Sequence, residues 1–218
     1  MKAAWHRFLA PLTPGVRVLL FVLAVTYVGA VTGIFSRSYN VYPWLGLNGW
    51  TFWHGCVWTI VTYALLPASL LDFLLNWVMV LFVGVYLERV WSRRQFWRHC
   101  LISTLGAGVA KVLLDPAGPM LMVGTTPIVF GLLAAWGWIF ANERVLFWFI
   151  WDMTVRQVAI VLAIVCVLLM LPCAGVKTVA IMLCGGVAAL ASLWVQSRFV
   201  RSRASRSFVS ERMGRLEL

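Results

Sequence analysis

The sequence predicts an all-α membrane protein: a six-transmembrane-helix bundle, with a short interfacial segment between the first and second helices. Three observations carry this. Of 218 residues, 62% are hydrophobic and 11% charged, with a mean hydropathy of +0.91, whereas a soluble domain carries far more charge. The apolar residues form stretches approaching the roughly 20 residues of helix that cross a bilayer core. The 13 tryptophans gather near the ends of those stretches (Trp44, Trp50, Trp91, Trp97, Trp148, Trp151, Trp194), as interfacial aromatic belts do.

Taken in order, residues 15–35 form the first span, with no small-residue cleavage signal that would make them a removable leader. Residues 36–50, rich in Tyr, Pro, Trp, Asn and Gly, read as loop. Residues 51–66 are apolar and Trp-heavy but short for a span, and Pro67 closes them; they read as a helix lying at the interface. The second span covers 69–90, and a basic loop, 91–95, follows. The third covers 96–114, where Lys111 and Asp115 fall one turn apart as an i, i+4 pair. Asp115-Pro116-Ala117-Gly118-Pro119 breaks the chain. The fourth span covers 124–141, and 142–157 is an amphipathic connection with Trp148, Trp151 and Arg156. The fifth and sixth spans cover 158–171 and 179–194. Three regions follow: an N-terminal segment 1–14, a membrane domain 15–197 and a basic tail 198–218. There is no internal repeat.

The net charge of +11 is placed by topology. With the N-terminus cytoplasmic, fifteen Lys and Arg fall inside and three (Arg37, Lys111, Lys177) outside, the asymmetry expected of inward-facing loops. Both termini are then cytoplasmic. The charge needs no nucleic-acid partner, and the bilayer is the expected one; Arg198, Arg201, Arg203 and Arg206 are positioned to meet anionic headgroups. The five cysteines form no CxxC pair and no metal pattern, so neither a disulfide framework nor a metal or cofactor is expected.

Asp72 and Asn76 are the candidate site. They lie one turn apart in the apolar second span and share a helix face. A carboxylate in hydrocarbon is costly, so that face should look into the bundle or a water-filled cavity. The structural alternative is a polar pair that joins helices. A carrier or channel using Asp72 is a second alternative, weakened by the absence of repeats.

Several motifs, in this order and on these spans, resemble the rhomboid intramembrane proteases. Trp58-Thr59-Ile60-Val61-Thr62-Tyr63-Ala64-Leu65-Leu66 is similar to the segment before their second helix. Asp72-x-x-x-Asn76 occupies the place of their His-x-x-x-Asn. Gly84-x-x-x-Glu88, with Trp91-Ser92-Arg93-Arg94-Gln95-Phe96, resembles the end of that helix and its loop. The run from Gly124 through Thr125, Thr126 and Pro127 to Phe130 and Gly131 resembles their Gly-x-Ser-Gly-x-x-aromatic-Gly. Gly185-x-x-x-Ala189 resembles the Gly-x-x-x-Gly after their catalytic histidine. The resemblance covers residues 58–197.

The departures bear on chemistry. The family's nucleophilic serine falls on Thr126, the following glycine on Pro127, the general-base histidine on Met182 and the oxyanion-hole histidine on Asp72. A hydroxyl needs an adjacent base to attack, and a thioether is at most a weak acceptor. Pro127 lacks an N–H, and a carboxylate repels an oxyanion that needs donors. The resemblance therefore implies an inactive member, similar to the derlins in binding transmembrane segments of clients without cutting them. Its central fourth helix would be short, with a water-accessible cavity lined by Asp72, Asn76, Thr126 and Met182. The alternative is a protease using Thr126. Gly131, Ala135, Gly185 and Ala189 predict close packing of helices four and six. A compact six-span core suits a bacterial inner membrane.

Overall fold

A computed structural model describes residues 13–32, 41–116, 121–147 and 151–214. Helix α1 (Pro14–Val31) starts on a proline, whose fixed φ and missing N–H suit a first turn. Three short helices follow: α2 (Val41–Leu45), α3 (Gly49–Trp53) and α4 (Thr59–Thr62), the last continued by a 3₁₀ turn over Tyr63–Leu65. The expected loop over 36–50 thus contains helical turns where it is described, and the single interfacial helix over 51–66 is several pieces. Gly55, at φ 104°, occurs where a continuous helix would have had to run.

Helix α5 (Leu70–Val90) is long and apolar enough to cross a bilayer. A π-helical stretch over Val80–Gly84 interrupts it and sets Gly84 against α1, where an added Cβ would lie 3.1 Å from Val16 Cγ2. Ser92 caps α6 (Arg93–Leu114) by accepting from Gln95 N at 3.3 Å. The basic stretch 91–95 is therefore mostly the first turn of a helix, and the connection is two residues long. Helix α6 has the length to span but carries Arg93, Arg94, Arg98 and Lys111. Lys111 pairs with Asp115 at its C-terminal end.

Helix α7 (Thr126–Ile139) is buried on every side from Thr126 to Leu133, the position of a central helix. Residues 142–157 are not an amphipathic helix. They contain a hairpin of β1 (Arg144–Phe147) and β2 (Trp151–Thr154), antiparallel with Val145 opposite Met153 and Phe147 opposite Trp151. Valine and aromatic residues favour a pleated strand over a helix, so the protein is mostly helical with one two-stranded sheet among the described residues.

Continuous helix then runs over Val155–Gly214, broken at Gly175 (φ 73°, ψ 160°). We denote the two parts α8 and α9, with apolar stretches Val155–Leu171 and Gly175–Val195. The connection expected over 172–178 reduces to that break, and the basic tail begins as a continuation of α9. Residues 33–40, 117–120 and 148–150, Trp148 among them, lie outside the described residues.

Helices α6, α7 and α9 meet through small residues. A Cβ on Gly131 would lie 2.5 Å from Ser103 Oγ and 3.2 Å from Ala189 Cβ. One on Gly185 would lie 2.6 Å from Ser103 O and 3.1 Å from both Ala107 Cβ and Pro127 Cβ. Backbones this close gain dispersion without relying on hydrophobic expulsion, which lipid does not supply. Outward faces are apolar: Phe21, Leu74, Phe82, Leu113 and Leu168 are all half or more exposed, a surface that suits acyl chains.

Candidate functional site

The site is assembled from the first turn of α5 and the first residue of α7. Ser69 caps α5, accepting from Asp72 N at 3.1 Å. Asp72 Oδ2 accepts in return from Ala68 N at 3.4 Å. This is a variant of the reciprocal capping box, and Ser69-x-x-Asp72 is its sequence signature. Asp72 therefore sits at the helix mouth, where the partial positive charge of the N-terminus favours an acid, and not deep within the apolar run.

Its other oxygen collects two donors. Asn76 Nδ2 reaches Asp72 Oδ1 at 2.7 Å, as i, i+4 spacing allows, and Thr126 Oγ1 donates to the same atom at 3.1 Å. Asn76 Nδ2 also approaches Thr126 Oγ1 at 3.3 Å. The three side chains form a closed triangle across α5 and α7. Thr126 and Asn76 are buried, while Asp72 is half-buried.

The loop that delivers Thr126 is held by the segment before α5. Leu47 and Met122 exchange backbone hydrogen bonds at 3.0 and 2.8 Å. Gly124 N donates to Tyr63 O at 3.1 Å, and Thr125 Oγ1 donates to Ala64 O at 2.8 Å. Gly124 has φ 124°, a conformation L side chains rarely adopt. Pro127 stands in the first turn of α7, where a missing N–H is harmless to the helix. Its carbonyl accepts from Ser103 Oγ on α6.

A small recess of about 10 Å³, room for about one water, opens beside the triangle, lined by Leu23, Leu65, Pro67, Phe73, Asp72, Asn76 and Thr125. Two expected lining residues, Thr126 and Met182, are not among its walls: Thr126 is turned toward Asn76 and Asp72, and Met182 is packed in the core at 2% exposure. Leu65 and Thr125 were not anticipated from sequence. Leu65 lies in a segment whose course is set by distant contacts, and nothing local separates Thr125 from its neighbour.

Met182 lies one turn before Gly185, whose missing side chain lets α9 pass Pro127. Neither described histidine stands near the threonine. His99 Nε2 is 3.0 Å from Gly131 O, and Gly131 is more than one turn along α7 from Thr126. His54 Nδ1 is 2.7 Å from Trp50 O on an exposed surface. Among the described residues, no group of His, Cys, Asp and Glu is arranged to hold a metal. The remaining motif residues lie elsewhere: Gly84 packs on α1, and the Glu88 carboxylate caps the start of α1.

No curated protein matches the chain. A model of the rhomboid domain family matches residues 54–199, a region that holds the triangle, the π-interrupted helix and the α6–α7–α9 packing. The match extends over more than half of the sequence, and the chain belongs to the rhomboid family of membrane proteins.

Proposed function

We propose that this rhomboid-family chain is a non-cleaving scaffold. It would cross the membrane six times with both termini cytoplasmic, its segment 51–66 at the outer interface, in a bacterial inner membrane. There it would hold transmembrane segments of client proteins without hydrolysing them. The observation that carries this reading is the company of Thr126: its hydroxyl bonds to a carboxylate and an amide, and the residue that the resemblance puts in the place of the family's base, Met182, carries only a thioether. Serine-type catalysis needs a proton acceptor beside the nucleophile and donors where the oxyanion forms. Both Asn76–Asp72 and Thr126–Asp72 contacts direct their hydrogens at Asp72, leaving fewer donors for an oxyanion.

The test is incubation of purified, lipid-reconstituted protein with a model transmembrane substrate and, separately, a fluorophosphonate probe. The expected result is neither cleavage nor labelling. Cleavage that disappears in Thr126→Ala would overturn the reading.

One observation favours a second reading. A hydroxyl donating to a carboxylate at 3.1 Å has the form of a nucleophile–base pair. Cleavage abolished by Asp72→Asn as well as by Thr126→Ala would establish it.

A further inference from the structure

Asp72 has an unused bonding position and no charged partner. A carboxylate offers about four acceptor positions on its two oxygens. Oδ1 takes Asn76 and Thr126, and Oδ2 takes only the Ala68 amide, at 3.4 Å. All of these donors are neutral. None of its bonding partners is a Lys, Arg or His, so a charge on Asp72 would have no counter-charge beside it. Charges withdrawn from water are costly unless paired.

The surroundings restrict what could pair with it. The recess walls contributed by Leu23, Leu65 and Phe73 are apolar, and exposed apolar residues of α1 and α5, including Phe21, Leu71 and Leu74, face outward on the same two helices. Something bearing both apolar surface and a terminal cation would suit this combination. Asp72 is the third residue of α5, about 3 Å of helix rise from its start. That depth is within reach of a long basic side chain whose stem lies along apolar surface.

We propose that the recess selects client transmembrane helices carrying a lysine or arginine near their outer end, with Asp72 as the recognising group, the terminal cation at the mouth of the recess and the stem of the basic residue outside it along the accessible side of Phe73. This rests on the client-binding reading above and specifies its chemistry. The charge at this position would thus have replaced a catalytic donor with a recognition acceptor.

The experiment uses the full chain in bacterial membranes with a photo-crosslinking residue introduced at Phe21, exposed on α1 and outside the recess walls. It is co-expressed with single-span leucine–alanine probe helices bearing Lys, Gln or Glu within the outer two turns. Lys probes are expected to be captured roughly three- to tenfold more than Gln probes, the range intramembrane polar contacts support, and Glu probes least. Asp72→Asn should remove the Lys preference, and Asp72→Lys should transfer it to Glu. The probe series on the crosslinker-bearing protein with Asp72 intact reads the preference without depending on whether either Asp72 variant folds. Equal capture of all probes would overturn the charge selection and leave the scaffold standing. Capture of none would remove both, and probe cleavage would remove the scaffold reading itself.

Discussion

Two acids sit near opposite ends of α5, and their surroundings differ in kind. Glu88 is 7% exposed and takes its donors from another helix: Thr13 Oγ1 at 2.5 Å, Gly15 N at 2.7 Å and Val16 N at 2.7 Å. These satisfy amides that the first turn of α1 leaves without intrahelical partners. The contact is close enough that a Cβ on Gly15 would meet Glu88 Oε1 at 2.5 Å. Asp72 takes one donor from its own helix, one from Ala68 two residues before that helix and one from α7, and opens onto a recess. The same functional group is thus a structural cap where three donors from one distant turn enclose it. It is a candidate site where its shell is partly local and one acceptor position is free.

The most damaging change should be Glu88→Ala. It leaves two amides and a hydroxyl of α1 unpaired in a buried setting, and thermal unfolding in lipid or detergent should show a loss of roughly 3 kcal/mol. A loss no larger than that of Asp72→Ala would break the comparison. Gly131→Val comes next. Its added atoms meet Ser103 and Ala189, and overpacking of this kind costs about 1–3 kcal/mol; the same unfolding measurement should place it below Glu88→Ala.

Asp72→Asn should lower stability by less than about 1 kcal/mol, because the amide preserves shape and can still accept from Thr126 or Asn76. A larger loss would make Asp72 a structural acid like Glu88. The effect that pH can switch off belongs to Asp115, whose carboxyl the hydrogen bond from Lys111 holds below the usual range. Its folded pKa is depressed, so the stabilisation is present above the unfolded value near 4 and is lost as pH falls through the folded value. Unfolding midpoints of the native chain and Asp115→Asn should therefore differ at neutral pH and converge in acid.

Much of this was readable in the chain. Apolar length located α1, α5, α6, α7 and the two parts of the last helix to within a few residues, except that α9 continues past 194 to Gly214. Four-residue spacing put Asp72 beside Asn76, and Lys111 beside Asp115. The second span, read from residue 69, already put Asp72 in its first turn, and the Ser69-x-x-Asp72 pattern is the cap that fixes that start. The hairpin over 144–154 escaped because tryptophan and arginine spread through an apolar stretch satisfy a helical pattern about as well as a strand alternation. The pieces before α5 escaped because their course depends on Leu47–Met122 and Tyr63–Gly124 pairing between segments far apart in sequence.

The amino-acid order alone determined that this chain is a membrane protein of several apolar helices, and that methionine stands where the resemblance would put an imidazole. These are properties of composition and of residue type at a position. Tertiary structure decided what each acid does: Glu88 received the start of α1, whereas Asp72 received Thr126 and an open recess. Helical periodicity sets which face a side chain occupies, but which partner meets that face depends on how distant helices pack, and that packing is cooperative across the whole bundle.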